Sequence, residues 1–115
     1  MKNIILIIAL VFASTAEAQN EPVFMKEENR VKGTFFHDNG RIQQQGFYRN
    51  GKLHGEWVSF DTQGEKLALA QYEDGMKTGK WFMWNKGLLT EVDYNANEIA
   101  SVTEWSGKNT VVSRE

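Results

Sequence analysis

The sequence predicts an all-β fold, a single-layer antiparallel meander of β-hairpins, from three observations. Two hairpin signals, Asn50-Gly51 and Asp74-Gly75, recur 24 residues apart. Asn-Gly and Asp-Gly suit a two-residue type I′ loop, because both central residues need positive φ. The same period joins Tyr48 to Tyr72, Gly55 to Gly79 and Gly40 to Gly64. It reaches three copies at Phe36, Phe60 and Trp84, and at Trp57, Trp81 and Trp105. Composition agrees: ten glycines against one proline, with four tryptophans, three tyrosines and seven phenylalanines, suit short strands and tight turns.

Residues 1–18 read as a signal peptide. Lys2 supplies a positive start, Ile4 to Phe12 is an uninterrupted apolar run, and Ala16-Glu17-Ala18 is a small-x-small cleavage site. The run falls well short of the roughly 20 apolar residues that a membrane span needs. No cysteine follows it, which excludes a lipoprotein anchor. The expected product begins at Gln19, after cleavage between Ala18 and Gln19, and is periplasmic or extracellular.

Residues 19–115 then form the repeat domain, clear over 36–84 and degenerate over 85–105. Glu21 to Met25 leads in, with Pro22 tolerable at the start of an edge strand. Glu28-Asn29 reads as an imperfect first turn, and Val31 to Phe35 aligns with Leu53 to Trp57. Outer turns follow at Asp38-Asn39-Gly40 and at Asp61 to Gly64, where Asp or Asn can bond nearby backbone N–H groups and Gly closes the turn. The third unit has Asn85-Lys86-Gly87, one residue short, and an inner turn reduced to Asn95-Ala96-Asn97-Glu98. A turn at Ser106 to Asn109 and a β-branched run, Thr110 to Val112, finish the chain. Irregular end units are expected where a repeat stack stops pairing.

A turn at Asn50-Gly51 sets Arg49 against Lys52, Tyr48 against Leu53, Gly46 against Gly55 and Gln44 against Trp57. One face then carries Tyr48, Leu53 and Trp57, with Gly46 and Gly55 between them. In the next unit it carries Tyr72 and Trp81, with Ala70 and Gly79 as the small pair. Small residues there let rings lie flat on the backbone. The other face takes Val58, Phe60, Leu67, Leu69, Phe82 and Trp84 among Glu56, Gln71 and Lys80. The face of Tyr48, Leu53, Trp57, Tyr72 and Trp81 is the candidate partner-binding surface. Asn50, Gly51, Gly55, Asp74, Gly75 and Gly79 define the repeat turns.

The recurring Asn/Asp-Gly-x-x-x-Gly-x-Trp, preceded by Tyr and followed by an aromatic-turn-Gly unit, resembles the MORN repeat family. The closest likeness is to its bacterial variant with slightly longer repeats, whose members are often labelled toxin-antitoxin antitoxin components. The resemblance spans about residues 30–105 and is strongest over 36–84. It implies a hairpin meander without catalytic residues that serves as a scaffold or binding surface. Some members of the family associate with membranes or phospholipids.

Little in the chain points to chemistry. A net charge of −2 with both signs interspersed makes no field for nucleic acid, and without cysteine there is no thiolate nucleophile or zinc-thiolate site. His54 stands where the next copy has Thr78, and His37 where the others have Asp61 and Asn85, so neither belongs to a recurring constellation. Asp93, Asn95, Asn97 and Glu104 mimic the ligand spacing of an EF-hand calcium loop, but Glu98 stands where that loop needs Gly. No enzyme activity, cofactor or metal is expected. The leading expectation is an exported protein-interaction or structural module, with another protein as partner. A phospholipid surface is the alternative, although Lys52, Lys66, Lys77 and Lys80 are interleaved with Glu56, Glu65, Glu73 and Asp74 rather than clustered.

Overall fold

The computed structural model describes residues 20–106 and the backbone of 111–114. The signal-peptide segment and the turn between Gly107 and Thr110 lie outside the described residues. Eleven strands form one antiparallel sheet: β1 (Val23–Glu27), β2 (Arg30–Phe36), β3 (Ile42–Arg49), β4 (Lys52–Leu53), β5 (Gly55–Phe60), β6 (Lys66–Glu73), β7 (Met76–Lys77), β8 (Gly79–Asn85), β9 (Leu88–Asn95), β10 (Glu98–Trp105) and β11 (Val111–Arg114). Neighbours in sequence are neighbours in the sheet, with the short β4 and β7 continuing into β5 and β8 after a kink. No helix occurs among the described residues. The fold is the all-β hairpin meander that the sequence predicts.

Turn chemistry sets the register. Asn50 and Gly51 have φ of 53° and 77°, and Asp74 and Gly75 have 50° and 87°, as type I′ loops require. These loops place Tyr48 opposite Leu53 and Tyr72 opposite Lys77. The two wider outer turns are also alike. The amide of Gly40 bonds the His37 carbonyl, and that of Gly64 bonds the Asp61 carbonyl. Asn39 and Asp61 each accept backbone N–H groups through a side-chain oxygen.

Several sequence expectations are corrected. First, Gly46 does not face Gly55, nor Gln44 Trp57. The register slips by two residues after Tyr48↔Leu53, and pairing resumes at Gln45↔Val58 and Gln44↔Ser59. Gly55, at φ 86°, makes the kink, and Gly79 repeats it at φ 67°. The slip is even, so the alternation of faces survives it. Second, the third outer turn is two residues shorter than its predecessors, not one. Lys86-Gly87 is a bare two-residue loop that pairs Asn85 with Leu88. Third, Trp105 does not continue the tryptophan column. It pairs with Leu89, three residues along from Val92, and so lies on the other face. Val102, opposite Val92, takes the column position instead.

At the start of the sheet the period runs at 24 as well, so Gly33 rather than Phe35 occupies the place of Trp57. Gly33 pairs with Gly46 just as Trp57 pairs with Ala70. The rings of Phe24 and Tyr48 close over Gly33 where a tryptophan would otherwise stand, 3.3 Å and 3.1 Å from the position of a β-carbon.

The core lies along one row of residues running across the strands, which starts at exposed Phe24 on the edge of the sheet. Phe24, Gly33, Gly46, Trp57, Ala70, Trp81, Val92 and Val102 follow one another, with Gly46 and Ala70 meeting the next strand along the Gln45↔Val58 and Leu69↔Phe82 registers. Each tryptophan lies between small or β-branched neighbours. Among the described residues Trp57, Ala70 and Val92 are the buried hydrophobic ones, and no large side chain is completely enclosed. That is what one uncovered layer permits.

Candidate functional site

The five residues expected on one face do meet. Tyr48, Leu53, Trp57, Tyr72 and Trp81 line a single open groove of about 280 Å³, together with Gln44, Ser59, Ala68 and Ala70. Even spacing along β3 puts Gln44, Gly46 and Tyr48 on that face, and even spacing along β6 adds Ala68, Ala70 and Tyr72.

Two copies of one aromatic unit form the walls. Tyr48 meets Trp57 edge to face at 5.2 Å and 84°, and Tyr72 meets Trp81 at 5.2 Å and 68°. Each indole N–H is committed to the main chain: Trp57 Nε1 donates to the Phe47 carbonyl at 3.0 Å, and Trp81 Nε1 donates to that of Gln71 at 3.0 Å. The same two carbonyls accept the amides of His54 and Thr78 at the kinks. Gly55 and Gly79 therefore serve the site by bending β4 and β7 so that an indole can reach the neighbouring strand. They are not small residues beneath the rings: a β-carbon on Gly55 would face Phe47, and one on Gly79 would meet Gln71, both on the far face. The small residues under the indoles are Gly46 and Ala70 alone.

The aromatic surface extends further than the sequence suggested. Phe24 meets Phe35 at 5.8 Å, Phe35 approaches Trp57 at 6.3 Å, and Trp81 packs on Tyr94 at 5.0 Å. Tyr94 was hidden because the shorter third outer turn puts it 22 residues after Tyr72 rather than 24. Lys77 takes the place of Leu53 in the second unit, and its ammonium lies 5.2 Å from the ring centroids of both Trp81 and Tyr94. Burial, with a smaller contribution from Tyr94, pushes the Tyr72 phenol above its ordinary pKa.

Both histidines bond the backbone of a neighbouring repeat. His37 Nε2 bonds the Phe60 carbonyl at 2.9 Å. His54 Nδ1 accepts the Asp74 amide at 3.2 Å and lies 3.7 Å from that residue's carboxylate. Of the calcium-like residues, Asp93 lies in β9 beside Lys80, at 3.6 Å, and Asn97 belongs to an inner turn, its side-chain oxygen accepting the Lys77 amide at 2.8 Å. Lys80 also bonds Glu91 at 3.0 Å, and this hydrogen bond chiefly raises its pKa.

No protein-family model matches the sequence, and no curated protein matches it.

Proposed function

We propose that this chain is an exported, non-catalytic interaction module of MORN-like hairpins, which binds another protein along the Tyr48–Trp81 groove. The observation that carries the reading is the fixing of both indoles. With both N–H groups spent on the Phe47 and Gln71 carbonyls, half-buried Trp81 offers only ring surface to a partner, while buried Trp57 holds Tyr48 in place as the rigid floor beside it. Rigid aromatic area of this kind loses little side-chain entropy on binding and supplies most of the energy where it forms an interface. The surrounding Gln44, Ser59 and tyrosine hydroxyls would orient a partner segment laid across the sheet. The resemblance to MORN repeats supports a binding role, and the interleaved charges favour a protein over an anionic membrane.

The test is a photoreactive residue at exposed Gln44, crosslinked in the exporting cell. One protein should be trapped, and Tyr48→Ser with Tyr72→Ser should abolish trapping at a temperature where the variant remains folded, with only a modest fall in melting temperature. A large fall in melting temperature with trapping intact would make those rings purely structural. Co-sedimentation with anionic vesicles at low salt would instead support the lipid reading. Export is tested separately by intact mass, which should correspond to a chain beginning at Gln19.

A further inference from the structure

The outer turns are laced together once and then not again. From the first turn, His37 Nε2 bonds the Phe60 carbonyl, Asn39 Nδ2 donates to that of Thr62 and Arg41 Nη1 donates to that of Gln63, at 2.9, 2.9 and 2.7 Å. One period later these donors become Asp61, Gln63 and Glu65. Asp61 is engaged within its own turn, its Oδ1 accepting the Gln63 and Glu65 amides, and carboxylates at 61 and 65 cannot donate to the next turn's carbonyls as His37 and Arg41 do. Among the described residues no hydrogen bond joins the second outer turn to the third, which is also two residues shorter. A cleft of about 570 Å³ opens there, lined by Asp61, Glu65, Lys66, Leu67, Trp84, Asn85, Lys86 and Gly87.

The chemistry of this cleft is specific. Its floor is Trp84, 37% exposed, on the face opposite the aromatic groove. Unlike Trp57 and Trp81, its indole N–H has no protein partner among the described residues. Lys66 Nζ stands 5.9 Å from the ring centroid, at the far limit of a cation–π contact, so a ligand displaces it at little cost. Two carboxylates and two ammonium groups, Asp61 and Glu65 with Lys66 and Lys86, leave the cleft without net charge but rich in hydrogen-bonding groups.

We propose that this cleft is a saccharide-binding site for a neutral, β-linked, gluco-configured pyranose. Such a ring has its hydroxyls equatorial and its C–H bonds axial, so one apolar face lies on the indole while the rim hydroxyls point outward. The carboxylates of Asp61 and Glu65 accept from those hydroxyls, and Lys86, the Asn85 amide and the Trp84 indole N–H donate to them. A net charge of zero disfavours sulfated or uronic glycans, and a polyol meets both signs of the cleft without a formal charge. The inference is independent of the proposed protein partner, since it concerns other residues on the other face.

The test is titration of the purified protein with cellotetraose and, separately, chitotetraose, followed by indole N–H resonances in a ¹H–¹⁵N spectrum. The Trp84 resonance should shift saturably with one or both sugars, while those of Trp57 and Trp81 stay fixed; the two arms distinguish a glucan from an N-acetylated glycan. Trp84→Ala, followed through the backbone amides of Lys66 and Lys86 in the same spectra, should weaken binding by at least about tenfold, equivalent to about 1.4 kcal/mol. Glu65→Gln, which keeps the fold and the turn bonds of Asp61, should weaken it less. No shift at millimolar concentrations of either sugar would overturn the proposal. So would equal binding by Trp84→Ala, or a response confined to a sulfated oligosaccharide.

Discussion

The indole of Trp57 lies so close to Gly46 that a β-carbon there would fall 1.9 Å from ring carbon Cδ2 and 2.2 Å from Cε2. Nothing in the ring can give way, because its Nε1 is tied to the next residue's carbonyl. Gly46→Ala is therefore expected to destabilise the protein by about 1–3 kcal/mol through overpacking. Ala70→Gly, at the matching place beside Trp81, should lose less than about 1 kcal/mol, the ordinary penalty of glycine in a strand. Urea denaturation checks both, and equal small losses would mean that the ring does not pin the backbone.

The three period-related tryptophans should separate sharply on truncation. Trp57, buried at 7% exposure, should lose about 3–5 kcal/mol as Trp57→Ala, and half-buried Trp81 less. Trp105, 37% exposed and on the other face, should shift stability by no more than about 0.5 kcal/mol. Thermal unfolding of the three variants gives the order directly.

Removing a donor from the first outer turn should loosen it. Arg41→Ala deletes the bond to the Gln63 carbonyl and should lower stability by about 0.5–1.5 kcal/mol. Glu65→Ala, which has no such bond to lose, should be close to neutral. Hydrogen exchange at Gly40 and Gly64 is the readout, with faster exchange expected only in the first variant.

Alkaline pH should weaken the fold in part through Tyr72. Its folded pKa is raised, first by burial and then by Tyr94, above the value near 10 that an unfolded tyrosine shows. The unfolded chain then holds fewer protons, so stability is intact below about pH 10 and falls as pH rises through the folded pKa. Tyr72→Phe should flatten that part of the curve. Ultraviolet titration of tyrosinate should show one fewer late-ionising phenol.

How much of this could be read in advance depended on turn chemistry. Asn50-Gly51 and Asp74-Gly75 fix their hairpins locally, so Tyr48↔Leu53 and the shared face of Tyr48, Trp57, Tyr72 and Trp81 were legible in the sequence. The kinks at Gly55 and Gly79 were not, because a glycine serving as a bend and one serving as a small neighbour look alike in a strand. Their even slip spared the faces and moved only the partners. Trp105 misled for a different reason: its spacing from Trp81 fits the period by coincidence, once the Lys86-Gly87 loop has already shortened the third unit. The Trp84 cleft could have been suspected by comparing His37, Asn39 and Arg41 with Asp61, Gln63 and Glu65. That comparison means little until one knows that each turn stacks on carbonyls.

The other margin of the sheet behaves differently. There the Gly75 amide bonds the Leu53 carbonyl, and the Asn97 amide bonds that of Lys77, so successive inner turns stay joined. Beyond the strand pairing of Ala68 with Met83 and of Leu69 with Phe82, the hairpin that carries Lys86 is thus tied to its predecessor at one margin, like a page at its spine. Thermal opening of the repeat array should begin at the free corner near Lys86 and swing about the inner turns, without first dissolving the Trp57 row. A ligand seated at that corner would act as a clasp, turning a loose final page into part of the bound volume.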